Sequence, residues 1–338
     1  MLLTSSSVTA ASLASLVLSS IMILLVLVAY RAGLDPDNIA SPIAGMLGDC
    51  CTLGLLAFIA SIFWDTRTDW KELQVGVLLL YCLAVPFFAR VANNCKHTSV
   101  ILRSGWTPII VSMFISSLGG LILKHSVKSF HGLSRFAPVM NGAGGNLAAV
   151  HASRISTELH ATSRLGAVLP SGEASRDNTS VGNHSVWSGR FVSELCPSLL
   201  GPGAHARTAR VLIFMSIPGS VCFVSLISSI TFGLDDFASW PGPSFFFAYA
   251  TATLVQVCLL MFAAHKLVLW LWSRGVDPDN AAIPYVTSLG DVVGSVVLSL
   301  AFWALTDSGN NSFAAAVAVP VMGLGVQLGS TSFPVNMH

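Results

Sequence analysis

The chain has 338 residues, of which 53% are hydrophobic and only 10% charged, and its mean hydropathy is +0.72. Soluble domains carry about 25% charged residues, so this composition is typical of a membrane protein and excludes an ordinary soluble domain. The formal net charge of +1 gives no basis for nucleic-acid binding.

Apolar runs long enough to span a bilayer recur along the chain. A spanning helix needs about 20 mainly apolar residues. Seven runs of that kind lie at 10–30, 41–64, 73–93, 106–123, 209–233, 243–272 and 281–305. A shorter, glycine-rich run covers 136–151, and a run at 313–329 contains Pro320 and three glycines. No basic region precedes the first run, so we interpret it as a membrane helix and not as a cleaved leader.

The polar connections predict which helix ends face the cytoplasm. The connection 90–105 carries three basic residues and no acid, whereas 234–242 carries two acids and no base. The positive-inside rule therefore places 90–105 inside and 234–242 outside. The longest polar stretch, 152–207, then also falls inside, and its lack of an apolar period predicts a mobile loop.

One stretch occurs twice, which indicates an internal duplication. Residues 33–49 and 275–291 agree at 10 of 17 positions, and each copy contains D-P-D-N, a proline four residues later, and L-G-D. Asp35 and Asp277 are predicted to cap the helices that follow, because aspartate is a favoured N-cap residue. Polar side chains after the caps then place oxygen atoms at the cytoplasmic mouth. They are Asp37, Asn38, Asp279 and Asn280.

Each copy ends in an aspartate deep inside an apolar run. Asp49 lies eleven residues after Asn38, a rise of about 16 Å that predicts a carboxylate near the bilayer midplane, and Asp291 is its equivalent. A carboxylate there costs on the order of 3 kcal/mol unless it faces water or a cation. Neither run contains a base, so we expect the two helices to face each other across a shared path. The alternative is that each aspartate is a buried hydrogen-bonding residue of a helix bundle.

The repeated motif resembles the pore helix of MgtE-type magnesium transporters, and its duplication resembles their animal relatives, solute carrier family 41. A second segment, Pro138–His160, is similar to the family's G-x-x-G-N sequence followed by A/S-R-[IL]-S-T. The resemblance implies five-helix units whose fifth helix carries the conserved acid. In the second segment, Asn146 either lines the path or belongs to a surface of small residues that serves helix packing.

These observations predict an all-α, polytopic membrane helix bundle with two parallel five-helix MgtE-like repeats, the first truncated. Residues 1–65 are predicted to hold the last two helices of the partial first repeat, and 66–105 a linker helix and connection. The second repeat is predicted at 106–305, with the cytoplasmic loop at 152–207, and 306–338 is a tail of uncertain structure.

No motif predicts an enzyme or a resident cofactor. The glycines at 142–145 do not form the dinucleotide-binding pattern, and the nine histidines include no H-E-x-x-H sequence. His151 and His160 are expected to be residues at loop edges and not ligands.

The leading hypothesis is membrane transport of divalent cations, with Mg²⁺ as the substrate, along a path lined by the paired aspartates. Mg²⁺ prefers oxygen ligands and keeps several waters, and the repeated motif has no thiol or imidazole to favour zinc or copper. The resemblance leaves both passive transport and coupling to Na⁺ open.

The alternative hypothesis is a truncated, non-conducting partner that modulates full-length magnesium transporters. Under either hypothesis the expected partners are the lipid bilayer and a second membrane chain, as a homo-oligomer or a hetero-assembly with full-length relatives. Nucleic acid is not an expected partner. We expect a multi-pass protein of the plasma membrane, with the mitochondrial inner membrane as the alternative location.

Overall fold

The computed structural model describes residues 2–33, 36–65, 71–130, 132–166, 201, 204–233 and 240–307. Within these ranges the chain forms only α-helices, which confirms the predicted all-α bundle. The helices are α1 (Leu2–Arg31), α2 (Pro36–Asp65), α3 (Lys71–Asn94), α4 (Lys96–Ser104), α5 (Trp106–Ser129), α6 (Leu133–Thr162), α7 (Ala204–Phe232), α8 (Pro243–Ser273) and α9 (Pro278–Asp307). The apolar run at 313–329 and nearly all of the tail lie outside the described residues.

Six of these helices are long and apolar enough to cross a membrane, namely α1, α3, α5, α7, α8 and α9. Helix α2 contains a shorter apolar stretch, Cys50–Trp64. Large apolar side chains on the outer faces of the helices are exposed, as the hydrocarbon phase of a bilayer requires. The chain is therefore a multi-pass membrane protein.

Helix α9 lies at the centre of the bundle formed by the second half of the chain. It packs against α5, α6 and α8, and α6 in turn packs against α8 and α7. Helix α6 also contacts α2, which packs on α1. Helix α6 is thus the shared neighbour of the two helices that begin with the repeated D-P-D-N motif.

Two apolar cores occupy opposite ends of this bundle. One is built around Phe136, Phe245 and Phe302, whose rings contact one another. The other surrounds Trp272, which is fully buried together with Ile155. Polar residues and glycines of α6, α8 and α9 lie between these cores, and they form the site described below.

Helix α6 is longer than the sequence predicted. The run was expected to end at 151 and to be followed by a loop, but the helix continues to Thr162. The reason is an apolar period that the polar composition concealed, because Ala152, Ile155 and Leu159 are buried in the second core. The expectation that His151 lies at a loop edge is therefore wrong, since it is buried inside the helix, whereas His160 lies in the last turn of α6.

The turn before α9 depends on a glycine. Gly275 has φ +70°, a conformation that costs residues with a Cβ about 1–2 kcal/mol. Its N–H donates to the carbonyl of Trp272, and the N–H of Val276 donates to that of Leu271, both at 3.0 Å. This is a Schellman termination of α8. In the first copy Gly33 has φ +69°, and its N–H donates to the carbonyl of Tyr30 at 3.2 Å, so a glycine in the same conformation follows the preceding helix.

We predict that Gly275→Ala lowers the stability of the purified protein by about 1 kcal/mol, because no atom crowds the site and only the backbone strain remains. Gly76→Ala is the matched control, since Gly76 lies in α3 with nothing within 4 Å of an added Cβ. The control is expected to be neutral or stabilising. Thermal unfolding in detergent compares the two variants, and equal melting temperatures would contradict the account.

Candidate functional site

Polar side chains from four helices meet between the two apolar cores. They are Ser116 of α5, Asn141 of α6, Gln256 of α8, and Asp291 and Ser295 of α9. We call this set the central polar layer. Polar groups inside a membrane bundle are costly unless they are satisfied, so each member needs a partner or a function.

Asp291 is the charged member of the layer and lies near the middle of the 30-residue helix α9. Its Oδ2 atom accepts a hydrogen bond of 2.5 Å from the hydroxyl of Ser116, 175 residues away in the chain. The side chain is partly exposed and is not sealed in the core. The hydroxyl donor orients the carboxylate and brings no charge of its own.

Two glycine contacts fix the position of the Asp291 backbone. A Cβ on Gly290 would lie 2.9 Å from the Cα of Gly145, so α6 and α9 cross with their backbones in contact. A Cβ on Gly119 of α5 would lie 2.9 Å from the carbonyl carbon of Asp291. Small residues of this kind allow close approach of membrane helices. The backbone that carries the Asp291 carboxylate is therefore packed against α6 on one side and α5 on another.

Gln256 of α8 is hydrogen-bonded to both helices at the crossing of α6 and α9. It is 0% exposed, and its Nε2 donates to the carbonyls of Met140 at 3.2 Å and Gly290 at 3.3 Å. Nearby, the Nδ2 of Asn141 donates to the hydroxyl of Ser295 at 3.3 Å. Sequence reasoning missed Ser116, Asn141 and Gln256. A carboxamide in the middle of the apolar run 243–272 was the signal that could have identified Gln256.

The second D-P-D-N motif forms the N-terminal end of α9, which we call the mouth of α9. Asp277 accepts a hydrogen bond from the N–H of Asp279 at 3.1 Å and another from the Nδ2 of Asn280 at 3.0 Å. The first of these bonds confirms the predicted N-cap. Pro284, inside the helix, has no N–H to offer the carbonyl of Asn280, which adds an oxygen at this end.

His160 joins this mouth from the C-terminal end of α6. Its Nε2 lies 3.2 Å from Oδ1 of Asp277 and 3.6 Å from Oδ2 of Asp279. One ligand atom from each of these residues falls within 4.8 Å of the other two, a spacing that a metal ion can bridge. The motif itself contains no imidazole, but the fold places one beside it.

The other residues predicted from the sequence fall into two groups. Asn146 directly follows Gly145, and its side chain is partly buried, so it lies at the same helix crossing as Asp291. Asp37, Asn38 and Asp49 lie in α2, but their side chains are outside the described part of the chain. Their pairing with the second copy stays a prediction. Helices α2 and α9 share α6 as a neighbour and do not pack extensively on each other within the described ranges.

Comparison with models of known protein families shows which family the chain belongs to. The family model described as MgtE, divalent cation transporter, matches residues 1–59 and 137–301. The chain belongs to the MgtE family. This is a family of transporters and not of enzymes, which agrees with the sequence expectation. The matched residues include both D-P-D-N motifs, the glycine crossing and all of the central polar layer except Ser116.

Individual relatives come from solute carrier family 41, as the sequence resemblance indicated. The chain is 37% identical over 314 residues to member 3 of Rattus norvegicus, a match that covers 91% of this chain and 63% of the relative. It is 35% identical over 311 residues to member 2 of Homo sapiens, covering 90% of this chain and 51% of the relative. The chain therefore spans about half to two thirds of the length of these relatives. No solved structure gives a significant match.

We predict opposite effects for two adjacent glycines of α5. Gly119→Ala places a Cβ against the Asp291 backbone and is expected to destabilise the MgtE-type bundle by about 1–3 kcal/mol through overpacking. Gly120→Ala is its matched control, because nothing lies within 4 Å of the added atom and alanine favours helix. Thermal unfolding in detergent measures both. Equal stability of the two variants would contradict the close approach of α5 and α9.

Proposed function

We propose that the chain transports divalent cations across the membrane, with Mg²⁺ as the substrate, and that Asp291 binds the cation in the middle of the path. The observation that carries this proposal is a partly exposed carboxylate near the centre of α9, oriented by the Ser116 hydroxyl. Membership of a divalent cation transporter family supports it.

The cost of holding a carboxylate at this depth supports a cation as its partner. A charged aspartate in the centre of a membrane helix costs on the order of 3 kcal/mol. A passing dication offsets part of this cost, in addition to the hydrogen bond from the Ser116 hydroxyl. Because the layer offers hydroxyl and carboxamide oxygens around a single charge, it suits a cation that keeps part of its water shell. Mg²⁺ is the common cation that dehydrates most reluctantly.

Oxygen atoms at the mouth of α9 extend the same path toward the cytoplasm. Asp279 and Asn280 are exposed there, and the Asp277 cap holds both in position. We propose that they attract hydrated cations to the path, and that Asn146 contributes its carboxamide oxygen at the crossing beside Asp291. In the first copy, Asp37, Asn38 and Asp49 are proposed to take the equivalent roles.

We predict that Asp291→Asn reduces Mg²⁺ flux by more than about tenfold, the equivalent of about 1.4 kcal/mol of lost interaction. The substitution keeps the shape of the side chain and removes only its charge. Asp49→Asn should have a similar effect. The double variant should lose little more, because residues that bind one ion together are not additive.

The measurement is Mg²⁺ uptake by liposomes that contain equal amounts of purified wild-type or variant protein. Glu72→Gln is the control, because it removes an exposed acid from α3, away from the path. Wild-type flux in Asp291→Asn would contradict the proposed site. Transport of Zn²⁺ without Mg²⁺ would contradict the proposed substrate.

The same liposomes test whether Mg²⁺ transport is coupled to Na⁺ and whether the chain is instead a modulatory partner. Exchange against Na⁺ predicts that Mg²⁺ flux depends on a sodium gradient, and equal rates with and without the gradient exclude coupling. The chain spans only 51–63% of the length of the relatives compared above. If it carries no flux alone but changes the flux of a co-reconstituted longer relative, it is a modulatory partner.

A further inference from the structure

Three histidines from three different helices converge at a place that the proposed transport path does not use. They are His151 of α6, His205 at the start of α7, and His265 of α8. The ring centroid of His265 lies 6.4 Å from that of His151 and 6.2 Å from that of His205. We call these residues the histidine cluster. Because the three histidines are far apart in the sequence, no local motif predicts the cluster.

The cluster contains buried nitrogen atoms that have no partner among the described residues. His151 is 1% exposed, and neither its Nδ1 nor its Nε2 makes a hydrogen bond. The Nδ1 of His265 is likewise buried and unpaired. Buried polar atoms are nearly always satisfied in folded proteins, so these unpaired nitrogens point to an occupant that accepts one lone pair from each neutral imidazole.

Glu158 supplies the orienting contact that is common around metal-binding histidines. Its Oε2 lies 3.4 Å from the Nε2 of His205. A carboxylate in this position fixes the tautomer and the orientation of the ring and leaves the other nitrogen to bind a metal. The side chains of His205 and Glu158 are 29% and 49% exposed, so this edge of the cluster gives an ion access from outside the core.

We propose that His151, His205 and His265 bind a transition-metal ion of the zinc class, at a site separate from the oxygen-lined path. Imidazole is a preferred ligand of Zn²⁺, Ni²⁺ and Cu²⁺, whereas Mg²⁺ prefers oxygen.

Binding requires a modest contraction of the cluster. Zinc sits about 2.0–2.1 Å from each ligand nitrogen, and the present centroid separations are wider than such a site allows. Binding therefore requires the three side chains to rotate toward one another. Since α7 packs on α6 and α8, a bound ion would clamp the first turn of α7 to both neighbours.

The experiment measures binding of ZnCl₂ to the purified full chain, by competition with a chromophoric chelator. Wild-type protein is expected to bind one Zn²⁺, and His151→Gln and His265→Gln should each weaken binding more than about tenfold. Glu158→Gln should weaken it less, because its role is to position His205. His125→Gln, which changes an exposed histidine of α5, is the control and should bind as wild type does.

His160→Gln distinguishes this site from the mouth of α9. Zinc affinity lost in His160→Gln and retained in the cluster variants would overturn the proposal, as would unchanged affinity in every variant.

Melting temperatures without metal test whether the buried substitutions fold. If His151→Gln does not, His205→Gln, at a partly exposed position, decides by the same assay. Co²⁺ added to wild-type protein should give the intense visible bands of a tetrahedral site, and only the weak bands of octahedral Co²⁺ would contradict the cluster.

Discussion

The contact between the backbones of Gly145 and Gly290 is the constraint on which the rest of the site depends. No side chain fits between α6 and α9 at this point, since a Cβ on Gly290 would lie 2.9 Å from the Cα of Gly145. The close crossing brings the Gly290 carbonyl within hydrogen-bonding distance of Gln256. It also fixes the position of the next residue, Asp291, relative to α6. Gly119 closes the third side against the Asp291 backbone.

The apolar cores at the two ends of the bundle make this polar level possible. The core around Phe245 and the core around Trp272 hold α6, α8 and α9 together above and below it. Hydrogen bonds then organise the middle, where van der Waals packing of glycines replaces large side chains. Stability and proposed function are thereby separated along the same three helices. Substitutions in the cores are expected to act on folding, and those at Asp291 on ion binding.

The sequence predicted the local features well and the long-range ones poorly. Apolar runs gave the helices, and the D-P-D-N motif gave the Asp277 cap, because both depend on residues close together in the chain. The partners of Asp291 and Asp277 come from Ser116 and His160, which lie 175 and 117 residues away. No spacing rule connects such residues. The end of α6 was missed because charged and polar side chains on its outer face masked the buried period that includes Ile155.

The most direct test of the account asks whether Mg²⁺ occupies the space beside Asp291. In a background without reactive cysteines, Ser116→Cys places a thiol where the hydroxyl now contacts the carboxylate. The rate at which a small, water-soluble thiol reagent modifies this cysteine is measured with and without Mg²⁺. The account predicts that Mg²⁺ slows modification when Asp291 is present and has no effect when Asp291 is replaced by Asn. A rate that Mg²⁺ leaves unchanged in both proteins would contradict a cation site at Asp291.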